Sequence, residues 1–157
     1  MRKEYITWDQ YFMGVAQLSA LRSKDPSTQV GACIVNTDKR IIGIGYNGFP
    51  MGCDDRTFPW HNDGQLLDTK YPYVVHAEAN AILNATTSLK NASIYVTLFP
   101  CNECAKLIIQ SGIKHIYYVS NKYEQGEPHQ AAIKMLKAAG VTFEQIKVGD
   151  VTYDHVD

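Results

Sequence analysis

Four residues in two short stretches have the types and the spacing of a metal site. His76 and Glu78 are separated by one residue, and Cys101 and Cys104 are separated by two. One imidazole and two thiolates suit Zn²⁺, and three protein ligands leave the fourth tetrahedral position of the metal for water, as in catalytic zinc sites. Glu78 lies two residues beyond His76, too close in sequence to be a chance neighbour of a ligand, and is better interpreted as the proton carrier for the metal-bound water. The spacing therefore predicts a catalytic zinc site served by Glu78.

Two other readings of the same residues stay open at the level of sequence. A C-x-x-C pair is also typical of a redox site or of one half of a structural zinc site. A structural zinc needs a fourth protein ligand, which Cys53 or His61 could supply. Such a zinc-stapled binding module would have no use for Glu78. The combination of His-x-Glu with a proline directly before Cys101 favours the catalytic reading.

The elements that carry these side chains are predicted to be two helices entered at their N-termini. Residues 76–85 are rich in alanine and follow an extended, β-branched Val-Val pair, so His76 falls near the start of a helix. Pro100 stands where a second helix can begin, and Gly112 ends it. Two positive helix ends then face one metal and favour thiolate there.

The rest of the chain predicts an α/β fold, a three-layer α/β/α sandwich whose mixed sheet of about five strands has helices on both faces. One domain is expected over residues 1–157. Strands are expected at 29–35, 40–46, 93–98, 114–119 and 141–146, the first two forming an antiparallel hairpin, and further helices from Thr7 or Asp9 to about Ser23 and at 129–139.

The first predicted helix carries an apolar stripe, and several single residues receive structural roles. The stripe is expected to face the core, together with two aromatic residues: Tyr11, Val15, Leu18 and Leu21, with Trp8 and Phe12. Cys33 is expected to be a small buried residue in its strand. Three histidines show no partner pattern and are taken as ordinary polar residues: His115, His129 and His155.

Charge and hydropathy restrict the class of partner. The 157 residues are 45% hydrophobic and 20% charged, with a net charge of −1. This balance gives no general basic field, so we expect no stable nucleic-acid partner. No apolar run approaches the roughly 18 residues of a membrane span, so no membrane partner is expected. With two of four cysteines assigned to a metal, the chain is expected to be cytoplasmic.

The motifs as a set resemble one family. His-x-Glu followed by Pro-Cys-x-x-Cys is the signature of zinc deaminases, and residues 24–32, 45–50, 98–104 and 120–123 resemble the deoxycytidylate (dCMP) deaminases of the cytidine deaminase-like superfamily. The resemblance covers roughly residues 6–146. It implies zinc-dependent hydrolysis of dCMP to dUMP and ammonia, which supplies dUMP for thymidylate synthesis. It also implies a homohexamer, activated by dCTP with Mg²⁺ and inhibited by dTTP.

A nucleotide substrate needs groups for its sugar and its phosphate. The resemblance implies that Asn47 touches the sugar and that Tyr123 lies beside the substrate, and Ala77, between the metal ligand and Glu78, is assigned to substrate binding with them. Phosphate needs fixed donors, and arginine and lysine are its usual partners in proteins. The donors nearest the motifs are Arg22, Lys24, Ser27 and Lys122.

The stretch 47–72 shows no sustained period, and a loop of this length in a compact domain is usually functional. A lid, a solvated insertion and an effector site are all open. As an effector site, it would use glycines for close backbone approach, carboxylates to hold Mg²⁺ through water, and an arginine to neutralise phosphate. The candidates are Gly43, Gly45, Gly48, Asp54, Asp55 and Arg56.

Overall fold

A five-stranded mixed sheet forms the centre of the computed structural model, which describes residues 1–154. The strand order is β2-β1-β3-β4-β5. β1 pairs antiparallel with β2 and β3, whereas β3, β4 and β5 run parallel. The strands are β1 (Gly31–Val35), β2 (Ile41–Tyr46), β3 (Ser93–Leu98), β4 (His115–Ser120) and β5 (Thr142–Gln145).

Helices cover both faces of this sheet, which confirms the predicted three-layer architecture. They are α1 (Trp8–Ala20), α2 (Ala77–Asn84), α3 (Asn102–Ser111) and α4 (Glu127–Ala138). Alternate residues of β1 divide between the two cores: Ile34 packs with residues of α2, α3 and α4, and Cys33 packs with α1. Every residue of β1 is buried, as expected for a strand covered on both faces. The prediction for Cys33 is thereby confirmed.

The core-facing side of α1 differs from the predicted one. Thr7 caps the helix through a capping box with Gln10. The side that faces the sheet consists of Phe12, Met13, Ala16 and Ala20. Of the predicted stripe, Val15 is partly buried and packs against the core, whereas Tyr11, Leu18 and Leu21 are exposed, so their assignment to the core is wrong. Of the two aromatic residues, Phe12 is buried as predicted and Trp8 is 53% exposed.

Close approach to β1 explains why the small residues of α1 face inward. A Cβ atom placed on Gly31 would lie 1.8 Å from the carbonyl oxygen of Ala16, so helix and strand are in backbone contact there. Bulky side chains cannot enter such a contact. Ala16 and Ala20 therefore lie at this contact, whereas the larger Phe12 and Met13 pack beside it in the same core.

The stretch 47–72 is ordered around its own small aromatic core. Its one regular element is a single turn of 3₁₀ helix, Leu66–Asp68. The rings of Phe49 and Trp60 lie 4.1 Å apart between centroids, and Phe58 packs against Phe49 and Tyr73. The indole N–H of Trp60 donates to the carbonyl oxygen of Asp55. Aromatic packing thus orders a segment whose sequence shows no helical or strand periodicity.

No helix in the described part of the chain is long and apolar enough to cross a membrane.

Candidate zinc site and substrate cleft

The metal-ligating side chains are presented by the first turns of α2 and α3. His76 is the N-cap residue of α2, and Cys101 is the N-cap residue of α3, with Cys104 in its first turn. Neither cap residue uses its side chain to satisfy the helix end. Both side chains are therefore free to serve a shared ligand.

Two glycines of β2 allow α2 to lie directly on the sheet. A Cβ on Gly45 would lie 2.4 Å from both the carbonyl oxygen of Ala77 and the amide nitrogen of Ala81. A Cβ on Gly43 would lie 2.5 Å from the carbonyl oxygen of Ala81. These glycines position the helix that carries the site, so close packing accounts for them without a bound effector.

The ligand atoms of the three predicted residues fit one tetrahedral zinc ion. The Nδ1 atom of His76 is 3.5 Å from Sγ of Cys101 and 3.4 Å from Sγ of Cys104. With usual Zn–N and Zn–S bonds of about 2.0 and 2.3 Å, a tetrahedral centre separates nitrogen and sulfur by about 3.5 Å. Within residues 1–154, no further His, Cys, Asp or Glu joins this group, so neither Cys53 nor His61 completes a four-ligand structural site. The predicted zinc ligands are confirmed.

Glu78 lies beside this ligand set and is shielded from solvent. Its side chain is buried, and burial raises the pKa of its carboxyl group. Hydrogen bonding from Cys104, together with that from His76, lowers the pKa of the Cys101 thiol. A buried carboxyl group with a raised pKa can hold and release a proton nearer neutral pH. The site thus combines a thiolate ligand with a proton-carrying group.

A cleft of about 530 Å³ opens over the ligand set. Four of the predicted substrate residues line it: Ser27, Asn47, Ala77 and Tyr123. Arg22 and Lys24 do not. The guanidinium of Arg22 lies 5.9 Å from the ring centroid of Tyr46, and Lys24 pairs with Asp55 at the surface.

Asn47 is buried and fully engaged by the backbone of the segment that enters β1. Its Nδ2 donates to the carbonyl oxygen of Thr28 at 2.9 Å, and its Oδ1 accepts from the amide of Val30 at 2.9 Å. The residue therefore shapes one wall of the cleft. Its contact with a sugar stays a prediction.

The structure adds cleft residues that the sequence reading did not single out. His129 is buried at the first turn of α4 and its ring lies 4.3 Å from that of Phe99, the residue before Pro100. Thr28 lines the same region, and Asp25 and Lys70 line it as a buried ion pair. The treatment of His129 as an ordinary polar residue is wrong. His155 lies outside the described residues.

The remaining effector candidates form a separate, shallow surface site. Asp54 pairs with Arg56, which lowers the pKa of that carboxyl group, and Asp55 pairs with Lys24. These groups, with Gly52 and Cys53, surround an open depression of about 590 Å³. Gly48 lies elsewhere and pairs with Val75 through two backbone hydrogen bonds.

Comparison with known proteins gives a consistent picture. The family described as "Cytidine and deoxycytidylate deaminase zinc-binding region" matches residues 6–120. The deoxycytidylate deaminase of Mus musculus is 59% identical over 146 residues, which cover 92% of this chain and 82% of that protein. The Homo sapiens deoxycytidylate deaminase is 57% identical over the same shares.

The fold also resembles a solved structure with bound nucleotides. The crystal structure of dCMP deaminase from the cyanophage S-TIM5 in complex with dCMP and dUMP has a TM-score of 0.69 to this chain. It is 27% identical, and the alignment covers 87% of this chain and 94% of that one.

Proposed function

This chain belongs to the cytidine and deoxycytidylate deaminase zinc-binding family, and we propose that it hydrolyses dCMP to dUMP and ammonia. The observation that carries the proposal is the buried Glu78 carboxyl beside a His-Cys-Cys ligand set at the floor of a cleft of mononucleotide size. The cyanophage relative, whose structure holds dCMP and dUMP, supports the same substrate and product.

The mechanism assigns the metal and the proton carrier to different residues. His76, Cys101 and Cys104 would hold zinc, which when bound would supply Lewis-acid activation of a water molecule. Glu78 accepts the proton of the water that attacks C4 of cytosine and delivers it to N3. It then assists transfer of a second proton to the leaving ammonia. Because Glu78 is buried, its carboxyl group exchanges protons with the substrate rather than with bulk water.

We assign the substrate phosphate to the part of the cleft lined by Ser27, Thr28 and Tyr123, beside which Lys122 lies. The Nζ atom of Lys122 donates to Oγ1 of Thr28 at 3.1 Å and lies 5.0 Å from the ring centroid of Tyr123. Lys70, the other lysine beside the cleft, is neutralised by Asp25. Lys122 is therefore the cation best placed for a phosphate point contact.

Ammonia release from three compounds tests the substrate assignment. We expect dCMP to have the highest kcat/KM, deoxycytidine to be far poorer, and a cytosine-containing single-stranded oligonucleotide to be inert. Lys122→Met should raise KM for dCMP and leave deoxycytidine unaffected, because only the first carries a phosphate. Equal kcat/KM for dCMP and deoxycytidine, or faster turnover of the oligonucleotide, would overturn the proposal.

We propose that dCTP with Mg²⁺ activates this enzyme and that dTTP inhibits it, with the depression around Asp54, Asp55 and Arg56 as the effector site. Two effectors with opposite actions must bind different states with different affinity. dCMP saturation should be sigmoidal alone and hyperbolic with Mg²⁺-dCTP, and Asp55→Ala and Arg56→Ala should weaken this response. If the parent enzyme gives hyperbolic curves under every condition, the effector site is excluded and residues 47–72 act as a lid.

We further propose a homohexamer, working in the cytoplasm, where the ligand thiols stay reduced. Support for assembly comes from the outer side of α1, which exposes Trp8, Tyr11, Leu18 and Leu21. A cluster of large apolar side chains on a surface is typical of an interface. Sedimentation should give six chains, and Leu18→Glu should dissociate them. A monomer at all concentrations would contradict the assembly.

A further inference from the structure

A buried ion pair lies beside the substrate cleft and takes no part in the zinc site. The Nζ atom of Lys70 is 2.8 Å from Oδ1 and 2.7 Å from Oδ2 of Asp25. The two side chains are 10% and 2% exposed. Lysine and aspartate are rarely buried unless they are paired, and a buried pair is costly to desolvate. Its position at the cleft therefore invites a functional explanation.

Asp25 organises the turn that reaches the phosphate end of the cleft. Its Oδ1 accepts from the amide of Ser27 at 2.8 Å and, at 3.3 Å, from that of Thr28. Both residues line the cleft, and both carry a hydroxyl group. Since Lys70 binds both oxygens of Asp25, it fixes the orientation in which the carboxylate receives the two amides.

Lys70 in turn is held by the backbone that leads into α2. Its amide donates to the carbonyl oxygen of His61 at 2.9 Å. Its own carbonyl oxygen accepts from the amides of Tyr73 and Val74 at 3.0 Å. The ion pair thus ties the turn at 25–28 to the end of the 47–72 stretch, and Lys70 lies six residues before the metal ligand His76.

We propose that the Asp25–Lys70 pair is a positioning device that sets the preference for a phosphorylated nucleoside. The inference rests on the proposed function, dCMP deamination. Lys70 gives no net charge to the phosphate because Asp25 neutralises it. The pair acts by holding Ser27 and Thr28 where they meet the phosphate, so its loss weakens dCMP binding and spares the reaction at the base.

The test separates recognition of phosphate from general damage. Lys70→Met and Asp25→Asn are prepared as zinc-loaded proteins, and kcat and KM are measured with dCMP and with deoxycytidine. We expect KM for dCMP to rise about tenfold or more, and kcat/KM for deoxycytidine to stay within about threefold of the parent. Lys106→Met, which breaks the exposed Lys106–Glu103 pair on α3, serves as the control and should change neither value.

A conservative variant and a double variant keep the outcome decisive. Lys70→Arg retains the charge and should restore most of the dCMP preference. If the single variants do not fold, Asp25→Leu/Lys70→Met removes both charges without leaving one unpaired, and the same ratio is measured on it. Equal losses with both substrates, or an unchanged KM for dCMP, would overturn the inference. A parent enzyme without any preference for dCMP would instead overturn the proposed function with it.

Discussion

Gly45 is the position where one added methyl group should disturb the active site most clearly from outside the cleft. A Cβ there would lie 2.4 Å from backbone atoms of Ala77 and Ala81 in α2, whereas ordinary contacts of this kind begin near 3.4 Å. Relief requires α2 to move from the sheet by about 1 Å, and overpacking of this kind costs about 1–3 kcal/mol of stability. Because His76 is the N-cap residue of α2 and Glu78 lies in its first turn, the same shift should lower kcat about 100-fold.

Gly48→Ala is the matched control, since a Cβ on Gly48 would meet nothing within 4 Å. Urea unfolding and steady-state kinetics of both variants decide the matter. Gly45→Ala should lose stability and turnover together, and Gly48→Ala should keep the stability of the parent. A fully stable, fully active Gly45→Ala would refute the packing argument. If Gly45→Ala is defective only in its response to dCTP, the result would instead support the effector role predicted for Gly45.

Two further variants or modifications test the surroundings of the site. Asn47→Ala leaves the amide of Val30 without its side-chain acceptor and should lower the free energy of unfolding by about 1–3 kcal/mol. The control Asn84→Ala, which removes an exposed hydrogen bond, should lower it by less than about 1 kcal/mol, and equal losses would contradict the structural role of Asn47. In native protein treated with iodoacetamide at pH 8, Cys33 should stay unmodified while the partly exposed Cys53 is alkylated, because burial raises the pKa of Cys33 to about 12 and suppresses its thiolate. Peptide mass mapping reports the modified residues, and alkylation of Cys33 before Cys53 would contradict the fold around β1.

The features predicted correctly from sequence are those encoded by local patterns. Strand periodicity and turn residues gave the five strands, and the order of strands and helices gave the mixed sheet with helices on both faces. The metal ligands were found because His76 and the two cysteines occur in short motifs with helix-start signals beside them. Each of these patterns is decided by neighbours in the chain.

The features that sequence analysis missed depend on contacts between distant segments. Asp25 and Lys70 are 45 residues apart, and nothing in either local stretch indicates that they pair. From sequence alone, Gly45 is compatible with a glycine that lets a ligand approach the backbone. Its structural role follows only from the packing of α2 against it. In α1, apolar residues occur on both sides of the helix, so periodicity alone could not decide that Phe12 faces the core and Trp8 faces outward.

We expect Glu78 to carry the protons of a zinc-dependent deamination. The most direct measurement is the rate of ammonia release from dCMP by Glu78→Gln, made together with the zinc content of the same protein. One zinc ion per chain with turnover reduced about 1,000-fold or more is the expected result, because the metal ligands are intact and the proton carrier is gone. Near-parental turnover by the zinc-loaded variant would contradict the proton-carrying role of Glu78.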